Sequence, residues 1–271
     1  MTKRSTGAPR KVVYVMGAGR SGSTILGVCL GNCEGFFYAG ELEEWLVQGE
    51  GPRWASAERQ RFWDRVRERA GDGEGLVGGA ANRCVERSSA LLRPDLWPRR
   101  WRLKGPYRRV AGRLIEAVAE MSGARYVVDS SHFPLRAREL KRVAGVELYL
   151  LYLVRDPRAV VASNTRELNP HEVAERRWLT LVMNANLWLT QLVSVATFLS
   201  HARERRLLVR HEQFLADPEG VLERILAMSG AEVSPPDLAE LEVGAPLQAN
   251  RLIRAERVSV KRAEAPERPP R

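Results

Sequence analysis

The chain has 271 residues, 44% of them apolar and 28% charged, with a formal net charge of +10. This apolar share supports the core of one α/β domain over residues 1–262, and the positive balance predicts attraction to anions without choosing among nucleotides, sulfated or phosphorylated substrates, nucleic acid and acidic lipid. Cys29, Cys33 and Cys84 have no His or acid at metal-ligand spacing and read as buried thiols of a reducing compartment, while Met1 to Arg10 lacks an apolar signal region, so a cytoplasmic protein is expected.

The first element is an apolar, β-branched run, Val12 to Met16, that ends in Gly17-Ala18-Gly19-Arg20-Ser21-Gly22-Ser23-Thr24 and resumes at Ile25-Leu26 with helical spacing. Strand, tight loop and helix in that order form a cradle for a phosphate. The loop N–H groups and the positive helix end point at the anion, Ser21, Ser23 and Thr24 add hydroxyls, and Arg20 adds a forked charge. Gly17, Gly19 and Gly22 also fit G-x-G-x-x-G, with Glu41 at the distance of a ribose-binding acid. The Walker A spacing is present too, but Ser23 replaces its Lys, which argues against a plain NTPase.

A second strand is expected over 35–39, with Glu41 leaving its carboxyl end, where parallel sheets form their ligand crevice. Residues 52–101 read as a helical cap or insertion: a helix over 56–70, a Gly-rich break over 71–79, and a helix to Leu92. Trp54, Trp63, Trp97 and Trp101 read as core residues or as the lining of an acceptor pocket. Lys104 precedes Gly105-Pro106, and an amphipathic helix is expected from Val110 to Met121. Residues 125–129 form the next strand, with Ser130-Ser131-His132 at its end and Pro134 opening a helix.

Val146 to Val154 is so apolar that it reads as a central strand buried on both faces. It ends at Arg155-Asp156-Pro157-Arg158, followed by a helix over 159–167 that carries Ser163. The stretch Trp178 to Ser200 has no charged residue and is long enough to cross a bilayer, but Asn184, Asn186 and Gln191 suit a helix packed in protein better. A last strand over 207–210 leads into His211-Glu212-Gln213-Phe214, and Asp217-Pro218 opens another helix. Residues 263–271 read as a disordered basic tail. The alternation predicts a doubly wound parallel sheet of P-loop-like type with helices on both faces.

Two separated elements, Gly17 to Thr24 and Arg155 to Ser163, each present Arg and hydroxyls at a strand's carboxyl end. That pairing points to a ligand with phosphates at opposite ends, which an NAD-type enzyme does not need. A divergent P-loop kinase and a non-enzymatic nucleotide- or RNA-binding module stay open as alternatives, although no aromatic RNA-binding strand is present and nucleic acid is not an expected partner.

Gly19-Arg20-Ser21-Gly22-Ser23-Thr24-Ile25-Leu26 resembles the 5′-phosphosulfate loop of PAPS-dependent sulfotransferases, particularly bacterial ones and tyrosylprotein sulfotransferases. Leu153 to Ser163 is similar to their 3′-phosphate motif, with Arg155 and Ser163 eight positions apart as in the family. The likeness recurs at Asp129-Ser130-Ser131-His132-Phe133-Pro134, at His211 to Phe214 with Asp217-Pro218, and at Ala249-Asn250-Arg251. Here His132 stands where many relatives carry Lys, His211 where they carry Tyr, and Ala249 where Gly is common.

The resemblance implies PAPS as donor, released as PAP, and in-line transfer of a sulfuryl group to a hydroxyl of a small-molecule, natural-product or glycolipid acceptor, without a metal. Arg20 and the loop from Gly19 to Thr24 would hold the 5′ end, Arg155 and Ser163 the 3′-phosphate, and His211, Asn250 and Arg251 would complete the nucleotide contacts. Glu41 would be the general base, with His132 ranked second, and Lys104 would hold the bridging oxygen. A peripheral lipid or membrane contact is a further partner considered for the uncharged helix.

Overall fold

The computed structural model describes residues 8–47, 56–71, 79–160, 177–248 and 251–260. Its centre is a five-stranded sheet in the order β2-β3-β1-β4-β5, formed by β1 (Arg10–Gly17), β2 (Phe36–Gly40), β3 (Tyr126–His132), β4 (Val146–Val154) and β5 (Arg206–Arg210). Every neighbouring pair is parallel. All five strands therefore end at one edge.

β1 sits between β3 and β4, and Val12 to Met16 are wholly shielded from solvent, as expected of a parallel strand covered on both faces. Alternation divides its side chains. Val12, Tyr14 and Met16 join a core with Phe62 and Trp63 of α3 (Ala57–Ala70), Leu114 and Ile115 of α4 (Trp97–Ser122), and Leu140 of α5 (Pro134–Leu140). Val13 and Val15 join the opposite core with Leu26 and Leu30 of the helix Ser23–Gly31, here α1, and with helices that follow β5. The expected doubly wound α/β architecture is what the chain adopts.

Between β2 and α3 lies the four-residue α2 (Glu44–Val47). Beyond β4, α6 (Arg177–Leu199) crosses the cap side, and α7 (His211–Ala216) and α8 (Pro218–Ser229) follow β5. A two-stranded antiparallel pair, β6 (Leu241–Glu242) with β7 (Arg257–Val258), closes the described chain.

Four local expectations change. The helix expected from Val110 begins at Trp97 and runs unbroken through Gly105-Pro106. A proline inside a helix loses one ladder bond, and the burial of Tyr107, Val110, Leu114 and Ile115 along one stripe offsets it. Before it, the expected second cap helix is instead a π turn over Asn82–Glu86 and a 3-10 turn over Ser88–Leu92. β3 extends through Ser130 and Ser131 to His132 rather than ending at Asp129. Trp63 is core, whereas Trp101 is 70% exposed and Trp97 also faces solvent.

The three thiols are free and buried, and burial raises those of Cys29 and Cys33 to about 12 and 11. Among the described residues no helix is long and apolar enough to cross a membrane. Trp54, most of the Gly-rich break, all but the first two residues of the helix expected over 159–167 and the tail over 263–271 lie outside the described residues.

Candidate active site

The glycine loop leaves the end of β1 with two residues in left-handed backbone, Arg20 at φ 66° and Gly22 at φ 92°. Ser21 is 1% exposed and turns its hydroxyl inward, donating to the Ala18 carbonyl at 2.5 Å; it braces the loop from within. Thr24 is also buried, while Gly19 is exposed and Arg20 and Ser23 are half-buried. Gly22 caps α1 without a side-chain hydrogen bond. The first N–H groups of α1 thus lack a side-chain acceptor at the cap, which is the condition for an anion seat.

β4 ends beside this loop. The Arg155 side chain crosses to it and donates through Nη1 to the Arg20 carbonyl at 2.7 Å. From the end of β5, His211 reaches the same place: a Cβ built on Gly22 would lie 2.5 Å from its Nδ1. Any side chain at position 22 would displace that ring, and the positive φ independently favours glycine. The His211 ring is 9% exposed, and its Nδ1 is buried with no hydrogen-bond partner. Burial first, then the Arg155 charge, lower its pKa, with Glu212 opposing. A neutral imidazole with an unused ring nitrogen therefore lies against Gly22 and beside Arg155.

On the other side of β1, Gly40 takes φ 78° and turns Glu41 out of β2. The Glu41 N–H donates to the Gln248 carbonyl at 2.7 Å, and the Leu247 N–H donates to the Ala39 carbonyl at 2.8 Å. The segment leading to Asn250 is thereby laid along the end of β2. Burial pushes the Glu41 carboxyl up to about 7, helped by Glu44 and Asp129 and opposed by Arg20. Glu41 is thus within the electrostatic reach of the loop arginine, and it titrates where a general base works best.

His132 ends β3 beside Met16 of β1. Its φ of 52° is left-handed, its Nδ1 is buried without a partner, and burial lowers the ring to about 4. Strain and an orphaned nitrogen thus coincide at the carboxyl end of the strand, and a ring of this kind is a weak base.

Lys104 is placed in mid-α4, 3.6 Å from Glu139 and over the Trp101 ring at 4.3 Å. None of its polar contacts reaches the glycine loop, because the helix continues through Gly105-Pro106 instead of turning toward it. Ser163 and Asn250 lie outside the described residues, and Arg251 is described only as the start of a 3-10 turn, Arg251–Arg254.

A buried polar network underlies the acid side. Arg136 donates from Nε and Nη2 to Asp129 Oδ2 at 3.0 and 2.9 Å, and from Nη1 to Glu86 at 2.8 Å. Tyr107 donates to Glu86 at 2.5 Å, and Asp129 Oδ1 accepts from the Ser131 N–H and hydroxyl. The Ser131 hydroxyl oxygen accepts from the Glu43 N–H at 3.1 Å, which fixes the turn carrying Glu41. Burial, then Glu41 and Glu86, hold the Glu43 carboxyl well above its usual range. This network has no local signature: Arg136 reads as one more arginine in an Arg-rich helix, and only the fold brings Glu86 against it.

Among the described residues no cluster of His, Cys, Asp or Glu is arranged to hold a metal. The loop can seat an anion, and Arg155 and His211 stand beside it.

The sequence matches the model of the sulfotransferase family over residues 13–235. Among solved structures, the sulfotransferase domain from the curacin biosynthetic pathway superposes with a TM-score of 0.52 at 18% identity, covering 92% of this chain and 84% of that one. The sulfotransferase domain of the Synechococcus PCC 7002 olefin synthase gives 0.46 at 21% identity, over 85% of this chain and 77% of that one. The Alicyclobacillus acidocaldarius sulfotransferase gives 0.46 at 17% identity, over 85% of each chain. None of the curated proteins matches the sequence.

Proposed function

This chain belongs to the sulfotransferase family and is a sulfotransferase, and from that premise we propose that its donor is PAPS and its acceptor a hydroxyl of a small molecule. The observation that carries the reading is the convergence of Arg155, His211 and the Arg20 loop at adjacent strand ends. A nucleotide with a single phosphate group at one end would leave half of these groups unused.

In this reading the loop N–H groups, Arg20 and Ser23 hold the 5′-phosphosulfate end, and Arg155, His211 and Ser163 hold the 3′-phosphate, with Asn250 and Arg251 closing over the nucleotide. The fit rests on the uncapped start of α1 and on the unused Nδ1 of His211, which in its Nδ1–H tautomer supplies a donor to a phosphate oxygen. Glu41 takes the proton of the acceptor hydroxyl as its oxygen bonds to sulfur. The bond from sulfur to the phosphate oxygen breaks, and its electron pair stays on that oxygen, where Arg20 and the loop N–H groups stabilise the charge. A carboxyl near 7 is matched to this proton transfer, whereas the His132 ring near 4 is not. Lys104, engaged with Glu139, is given no part in the transfer.

The acceptor crevice lies toward β2 and β3, where Glu41 and His132 stand. Incubating the protein with PAPS and a panel of hydroxylated compounds and following the products by mass spectrometry tests the reading. Transfer of one sulfuryl group with equimolar PAP supports it; turnover of ATP with magnesium and none of PAPS replaces it with the kinase alternative.

A further inference from the structure

The sheet divides the crevice. Donor-side groups come from β1, β4 and β5, and Glu41 and His132 come from β2 and β3. One further cation stands on the second half.

Arg87 links the π turn to the 3-10 turn above β3. Its side chain is exposed, yet it is held twice: Nε donates to Asn82 Oδ1 at 2.9 Å, and the guanidinium lies 5.2 Å from the Phe133 ring centre. Asn82 is itself buried and donates to Glu86 at 2.6 Å. The hold therefore continues through Glu86, Arg136, Asp129 and Ser131 to the turn that carries Glu41. Glu86, the nearest acid in sequence, is already occupied by Arg136, Tyr107 and Asn82. Among the described residues, neither terminal nitrogen of Arg87 has a hydrogen-bond partner. The Arg87 charge also helps to lower the His132 ring, after burial.

An exposed arginine ordinarily spends its rotamer freedom in water. Here Nε is tied and one face is stacked, so the free edge is already oriented, and a planar fork of that kind matches a carboxylate. We propose that Arg87, seated on Phe133, binds a carboxylate of the acceptor, so that the substrate class is a hydroxylated carboxylic acid whose hydroxyl is delivered to Glu41. This inference rests on the sulfotransferase reading of the site and narrows its acceptor.

The test compares matched pairs by calorimetry on the PAP-saturated protein: 4-hydroxyphenylacetate against 4-hydroxyphenylacetamide, and 3-hydroxydecanoate against 3-hydroxydecanamide. The carboxylate is expected to bind about tenfold or more tightly than its amide in at least one pair. Arg87→Gln should erase that ratio, and Arg87→Lys should restore part of it. Equal binding of acid and amide in every pair overturns the proposal, as does a ratio that survives in Arg87→Gln. If PAP itself does not bind, the donor reading fails instead, and the same pairs titrated onto the protein without nucleotide still decide the role of Arg87.

Discussion

The Arg155 guanidinium and the Arg20 carbonyl, 135 residues apart in sequence, meet at 2.7 Å. This single bond ties the end of β4 to the loop after β1 and brings both arginines to one edge of the sheet. The Arg155 charge is thereby held beside the glycine loop, where an anion seated on the loop N–H groups would meet it.

Glu41→Gln is expected to lower kcat by about 10²- to 10⁴-fold while PAP still binds. In the unsubstituted enzyme, kcat/KM should fall with unit slope as pH drops below about 7, because burial and Glu44 raise the carboxyl and the base is lost on protonation. A limb centred near 4 would assign the base to His132 instead.

Gly22→Ala should cost about 1–2 kcal/mol from left-handed backbone alone, and more from contact with His211. Thermal unfolding of the single and double variants separates the two. In a His211→Ala background the contact component should vanish, leaving the backbone part. Additive losses would show that the ring does not rest on Gly22.

Glu43 carries a sign that stability measurements can read. Its folded-state pKa lies above the ordinary 4.5, so the unfolded chain gives up its proton first. Stability is full below 4.5 and declines as pH rises, by about 1.4 kcal/mol per unit until the buried carboxyl ionises. Glu43→Gln should flatten this decline and be the more stable protein at pH 8 in urea unfolding. Equal slopes for the two proteins would contradict a protonated Glu43.

The sheet was legible because Val12 to Met16 and Leu148 to Leu153 are apolar without interruption, and only strands covered on both faces read that way. The anion loop was legible because glycines, hydroxyls and an arginine follow such a strand directly. The start of α4 was not: Gly105-Pro106 is a local stop signal, and the packing of Tyr107 and Val110 that overrides it is tertiary. The same holds for Asp129, Arg136 and Glu86, whose pairing depends on three elements meeting. Lys104, expected ahead of α4, lies on it and pairs with Glu139. Arg87 carried no signal either, because its neighbours Asn82 and Phe133 are set by an irregular π turn and a strand end.

The two-ended grip on the donor is tested most directly by titrating the protein and its Arg155→Ala variant with PAP and with adenosine 5′-phosphate. The intact protein should prefer PAP by about 10- to 100-fold, the worth of charged hydrogen bonds to the 3′-phosphate, and Arg155→Ala should lose most of that preference. Equal affinity for the two nucleotides in the intact protein, or a preference unchanged in Arg155→Ala, would contradict the account.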